Sequence, residues 1–86
     1  MRLDKFLKTS RIIKRRTVAN EACDGGRVTL NNKVAKAAAN VAVGDIIEIK
    51  FGGRTQRLEV LSLSEHVRKE DAAGMYKLID EEQNHL

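Results

Sequence analysis

The chain has no proline and no tryptophan, one cysteine, and three aromatic residues (Phe6, Phe51 and Tyr76) in 86 positions. With so few rings, base stacking cannot be a widespread binding device, and a core has to be built from Leu, Ile, Val and Ala. A lone cysteine, Cys23, cannot close an internal disulfide, which fits a reducing cytoplasmic setting. It has no partner for catalysis or metal binding either. His66 and His85 stand alone, no His/Cys pair has ligand spacing, and Cys23 reads as a small buried hydrophobe. No apolar run approaches the roughly 20 residues that cross a bilayer. Met1-Arg2 leads into charge rather than into the apolar stretch of a signal peptide. Paired carboxylates on an apolar background and a nucleophile beside a base are both missing. No enzyme, no cofactor, no metal and no small-molecule substrate are therefore expected. Repeats, low-complexity tracts and linkers are absent too, so residues 1–86 read as one small domain.

What is abundant is positive charge, and it is placed unevenly. The first sixteen residues carry Arg2, Lys5, Lys8, Arg11, Lys14, Arg15 and Arg16, with Asp4 the single acid among them. Residues 1–50 hold eleven Lys/Arg against five Asp/Glu, or +6; residues 51–86 hold five against seven, or −2; together they make the net +4. A basic front and an acidic end point to a one-sided contact with a polyanion. The bland alternative is a solvated helix face. Against it stand the single sign of the charges, the near absence of pairing acids and the shortness of the helices that carry them. A membrane surface is the other rival, but the stretch lacks the broad apolar face of an interfacial helix.

Leu3, Phe6 and Leu7 fall at i, i+3 and i+4, one stripe of a short helix, with Arg2, Lys5 and Lys8 facing away. Asp4 suits the first turn and is placed to hold a nearby arginine. Ser10 marks a break, and Ile12 and Ile13 pin the connector that carries Arg11, Lys14, Arg15 and Arg16. Thr17 is the expected N-cap of a second helix, with Val18, Ala22 and Cys23 inward and Gly25 or Gly26 ending it. Beyond Gly26 the period becomes two. Val28 and Leu30 alternate with Arg27 and Thr29, Asn31-Asn32 can take positive φ in a turn, and Lys33-Val34 resumes a strand. Residues 35–42 read as an irregular connector. Ile46 to Phe51 is the strongest strand, and Gly52-Gly53 turns it into a return strand from Arg54 to Leu63 with Leu58 and Val60 inward. That glycine pair has neither the spacing nor the following helix of a phosphate loop. Residues 68–82 are expected to be helical, with Ala72, Met75, Tyr76 and Ile79 on one face and a frayed polar end beyond.

These pieces, taken together, resemble a known family. Met1-Arg2-Leu3-Asp4-Lys5-Phe6-Leu7, Lys14-Arg15-Arg16-Thr17-Val18-Ala19, Gly26-Arg27-Val28, Asn31-Asn32 and Val43-Gly44-Asp45-Ile46-Ile47 resemble, in this order and spacing, the alpha-L RNA-binding motif. This is the domain type named for small-subunit ribosomal protein S-four. The likeness covers about residues 1–50 and leaves 51–86 as a C-terminal hairpin strand and helix. It implies an α+β fold in which two short N-terminal helices pack on a small twisted antiparallel sheet, with a C-terminal helix. It also implies that helix cations face RNA. The family's RNA-contacting positions fall on Arg2, Asp4 and Arg16; charge and helical facing add Lys5, Lys8, Arg11, Lys14 and Arg15 as RNA-binding candidates.

Through Phe51-Gly52 and Glu70-Asp71-Ala72-Ala73-Gly74-Met75-Tyr76 the chain resembles the small stand-alone RqcP-type members of bacterial ribosome-associated quality control. That likeness implies a place on the obstructed large ribosomal subunit, bound to rRNA, with a peptidyl-tRNA and the partner RqcH, supporting alanine tailing of the stalled chain. A monomer when free is the expectation. The alternative is the heat-shock type of the same fold, which clears stalled large subunits and carries a basic C-terminal extension, where Asp80-Glu81-Glu82 is acidic here. A protein adaptor docking an acidic partner is the remaining class; an interaction that survives ribonuclease would mark it.

Overall fold

The computed structural model describes residues 1–83. Leu3, Phe6 and Leu7 form the buried stripe of α1 (Leu3–Thr9), and each is fully enclosed. Burying side chains of this size contributes roughly 1.5–3 kcal/mol apiece. The first N–H groups of α1 are satisfied by distant backbone rather than by a side-chain cap. Leu3 N–H donates to the Ala39 carbonyl (2.8 Å), Asp4 N–H to that of Ala37 (3.2 Å), and Val41 N–H to that of Met1 (2.8 Å). The opening residues thus lie antiparallel to 37–41, with Arg2 bridged to Asn40. That pairing is why residues 35–42 form an irregular connector despite their alanines. Ser10 caps the far end of α1, and Arg11 follows in the left-handed region at φ 62°, its N–H on the Lys8 carbonyl at 3.0 Å.

Helix α2 (Arg16–Asp24) starts earlier than the sequence suggests. The Arg15 carbonyl already accepts the Ala19 N–H at 3.0 Å, so Thr17 lies inside the first turn and is not the N-cap. Ala19, Ala22 and Cys23 form its buried face. Val18, expected inward, sits about 100° around the axis from Ala19 and is 45% exposed. Gly25 ends the helix, and Gly26 takes φ +82° to turn the chain into the sheet.

Among the described residues, five strands form one antiparallel sheet in the order β2-β1-β3-β4-β5. They are β1 (Val28–Leu30), β2 (Lys33–Val34), β3 (Ile46–Phe51), β4 (Arg54–Val60) and β5 (Tyr76–Gln83). Asn31 and Asn32, at φ 52° and 69°, make the β1–β2 turn. The Asn31 side chain accepts the Ile46 N–H at 2.9 Å and donates to Asp45 at 3.2 Å, which locks that turn to the start of β3. Val28, Ile47, Ile49, Leu58 and Val60 share one hydrophobic core with the buried faces of both helices.

The end of the chain corrects the expected long helix. Lys69–Met75 is a 3-10 helix that buries Ala72 and Met75, and the chain then becomes β5 rather than continuing as a helix. Tyr76 pairs with Val60, Lys77 with Glu59, Leu78 with Leu58 and Asp80 with Arg57, so Ile79 bulges between the last two pairs. Ile79, expected inward, is therefore about half exposed, as is Leu61, while Tyr76 and Leu63 pack partly against the core. The open edge of β4 offers a row of unpaired backbone groups, and satisfying them outweighs a short helical pattern. The expected fraying at the terminus falls on residues 84–86, outside the described residues.

Candidate nucleic-acid interface

The basic face is built around a carboxylate. Asp4, in the first turn of α1, is 2% exposed, and its two oxygens collect donors from three directions. Arg2 donates Nε to Oδ1 at 3.1 Å and Nη2 to Oδ2 at 3.4 Å. Arg16, at the start of α2, donates Nε to Oδ2 at 3.4 Å and Nη2 to Oδ1 at 3.5 Å. Asn20, one turn further along α2, adds a bond at 3.3 Å, and the Lys5 backbone N–H adds the shortest at 2.8 Å. The 3.1 Å bond is well formed, whereas those near 3.5 Å are long and act mainly through charge. Burial pushes the Asp4 carboxyl up, but the bonds from Asn20, Arg16 and Arg2 outweigh it and hold the group below its ordinary range. Asp4 stays ionised and steers both guanidiniums, whose side chains remain 50% and 47% exposed.

A guanidinium carries five N–H donors in a rigid fork, and each arginine spends its Nε and one Nη on Asp4. The remaining donors stay available at a shallow cleft of about 450 Å³ lined by Arg2, Asp4, Arg16, Thr17, Asn20 and Glu21. Two positive charges around Asp4 leave that triad at a net +1 on an ordered framework, while Glu21 on the lining brings the formal charge of the cleft as a whole to zero. Asn20 and its role were not anticipated from the sequence. Its position four residues after Arg16, on the same helix face, is the signal that would have found it.

The other expected cations divide. Lys5 is outside the lining of that cleft and pairs with Glu65 at 3.1 Å, and this bond and charge hold the exposed Glu65 carboxyl below its usual range. Lys8, Arg11 and Lys14 line a separate cleft with the segment before the 3-10 helix. Arg15 is exposed ahead of α2 and lines neither cleft. Two cations of the second half are engaged on the sheet: Arg57 bridges Glu48 at 3.1 Å and Asp80 at 3.0 Å, and Arg54 lies over the Phe51 ring. Among the described residues, no group of three or more His, Cys, Asp or Glu gathers as a metal site, and no helix is long and apolar enough to cross a membrane. Cys23 is buried on the inner face of α2, and burial first, then the charges of Asp4 and Asp24, push its thiol up to about 11.

Residues 1–47 match the family model of the S4 domain, which sets the class of this protein. The chain is 52% identical over 81 residues to the RQC P-site tRNA stabilizing factor of Streptococcus pneumoniae, covering 94% of this chain and 92% of the relative. It is 48% identical over 82 residues to the factor of the same name from Bacillus subtilis, with 95% of each chain covered. The chain belongs to this family of S4-domain proteins, the RQC P-site tRNA stabilizing factors. A solved structure of trimeric heat shock protein 15 from Vibrio cholerae is similar at a TM-score of 0.84 and 29% identity, over 91% of this chain and 80% of that one.

Proposed function

We propose that the protein is a non-enzymatic rRNA- and tRNA-binding factor of the cytoplasm that acts on the obstructed large ribosomal subunit. It grips RNA backbone through Arg2 and Arg16, bridges subunit RNA and peptidyl-tRNA, and keeps that tRNA in place while the partner RqcH directs alanine tailing of the stalled chain. Lys5, Lys8, Arg11, Lys14 and Arg15 widen the electrostatic field around that grip, and the free protein is a monomer.

The observation that carries this reading is the pair of half-exposed arginines forked on one buried carboxylate. Phosphate oxygens suit a planar fork that donates two bonds at once, and A-form RNA presents phosphates and 2′-hydroxyls rather than readable base edges. The scarcity of aromatic residues agrees with recognition by backbone and shape. Relatives named for stabilising a P-site tRNA support the choice of tRNA and ribosome as the bound partners.

The test is sedimentation of the full chain through a gradient of cell lysate, wild type beside Arg2→Ala/Arg16→Ala. Wild type travels with the large subunit, and the double variant stays at the top. In a strain lacking the native protein, Arg16→Ala fails to restore alanine tails on a stalling reporter. Full co-sedimentation and tailing by these variants would refute the assignment. The likeness to heat shock protein 15 favours one second reading, a recycling factor for stalled large subunits. Alanine tailing that persists in the deletion strain would select it.

A further inference from the structure

A second cleft, of about 600 Å³, lies away from Asp4. One wall is the end of α1 and its connector, carrying Lys8, Arg11 and Lys14. The other is the segment between β4 and the 3-10 helix, carrying Glu65, His66 and Arg68. Neither Arg2 nor Arg16 reaches it. Among the described residues, Lys8, Arg11, Lys14 and Arg68 form no ion pair, and the single acid of the lining, Glu65, is already taken by Lys5 at 3.1 Å. Four unpaired like charges around one space repel each other, and a bound polyanion relieves that repulsion.

Both walls are held in place. The Lys5–Glu65 pair ties the downstream segment to α1, and Val67 packs against the core. The Arg68 carbonyl accepts the Asp71 N–H at 2.9 Å, which anchors it at the start of the 3-10 helix. Opposite, Ile13 is buried. Arg11, directly after the C-cap of α1, occupies φ 62°, a conformation that glycine adopts freely and a β-carbon resists, and it lines the cleft. The lining is charged and contains no Phe, Tyr or Trp, unlike the apolar enclosure of a small-molecule pocket.

We propose that this cleft seats a second stretch of RNA backbone, its phosphates held between Arg11 and Lys14 on one wall and Arg68 on the other. The proposal deepens the RNA-binding reading above and rests on it. RNA then contacts the protein at two separate places, and the second requires a residue outside the matched S4 domain.

Each phosphate neutralised contributes about 0.7–0.9 to the slope of log affinity against log salt. The experiment measures binding of the labelled full chain to purified bacterial large ribosomal subunits across a salt series. Wild type is compared with Arg68→Ala, Arg16→Ala and Lys33→Ala, the last removing an exposed cation on β2. Arg68→Ala is expected to lower affinity roughly three- to tenfold at low salt and to flatten the slope by about one. Lys33→Ala keeps the wild-type slope. A wild-type slope for Arg68→Ala, with Arg16→Ala still impaired, overturns the second seat and leaves the first. Equal losses for Arg68→Ala and Lys33→Ala also overturn it, since net charge alone would then account for both. No subunit binding by wild type removes the reading beneath both proposals. If ribonuclease-treated lysate still retains an acidic protein on the chain through Arg68, the cleft is a protein site and the proposal fails.

Discussion

Replacing Asp4 by Asn tests whether the buried carboxylate organises the basic face. Asparagine keeps the shape, and its oxygen can retain the bonds that Oδ1 now takes from the Lys5 N–H at 2.8 Å and Arg2 Nε at 3.1 Å. The amide nitrogen at the other position would face Arg2 Nη2, Arg16 Nε and Asn20 Nδ2, donor against donor, where Oδ2 accepts all three at 3.3–3.4 Å. Breaking a fully buried ion pair costs about 3–5 kcal/mol. Here both arginines are about half in water, which draws the figure toward the 0–1 kcal/mol of surface pairs, and about 2 kcal/mol is expected. For a chain of this size that is a fall in Tm of roughly 8–16 °C.

The pH dependence follows from the depressed Asp4 carboxyl. Its stabilisation is fully present above the unfolded value near 3.8 and is lost as pH falls through the lower folded value. Urea unfolding followed by circular dichroism should therefore show the full gap between wild type and Asp4→Asn at pH 7. The gap narrows progressively from about pH 4 downward. A second readout separates positioning from charge. Removing an acid makes the protein more cationic, and simple attraction would tighten its hold on RNA. Loss of the steering group should instead weaken large-subunit binding. A gap below about 0.5 kcal/mol at pH 7, an unchanged gap at pH 3, or tighter subunit binding would each refute the reasoning.

Two further outcomes rest on the core and the turn. Cys23, its thiol pushed up to about 11, should resist iodoacetamide at pH 8 in the folded protein and react at the rate of an ordinary thiol once urea unfolds the chain; fast labelling of the native state would contradict its burial. At the β1–β2 turn, Asn31→Ala should cost about 1–2 kcal/mol, because it removes the bonds to the Ile46 N–H and Asp45 and puts at φ 52° a side chain without the polar group that lets Asn tolerate the left-handed region. Asn32→Gly, at φ 69°, should raise stability by about 0.5 kcal/mol. Thermal melts that move in the opposite directions would refute this account of the turn.

Much of the fold was legible because its determinants are local. The i, i+3, i+4 spacing of Leu3, Phe6 and Leu7 is the buried stripe of α1, and Ile47 and Ile49 alternate inward along β3. Asn31-Asn32 take the positive φ that their short polar side chains tolerate, and Gly52 the one that its missing β-carbon permits. The charge loaded onto the first sixteen residues also marked the basic face, and Asp4 within it was placed to hold an arginine. The number of arginines it holds was a tertiary matter. Arg2 reaches it from a backbone pairing with residues 37–41, and Arg16 and Asn20 reach it from a second helix.

The end of the chain was decided entirely by contact. Ala72, Met75, Tyr76 and Ile79 fit a helical stripe, and the local pattern cannot reveal that β4 has an edge to complete. A strand there satisfies a row of backbone groups at once, so residues 76–83 pair with β4 and expose Ile79 at a bulge. The same long-range packing carries Glu65 to Lys5 and brings Arg68 across from Lys8, Arg11 and Lys14. In sequence, Arg68 is one cation in an acidic stretch. Where like charges meet depends on how the sheet returns the chain, which spacing along it does not encode.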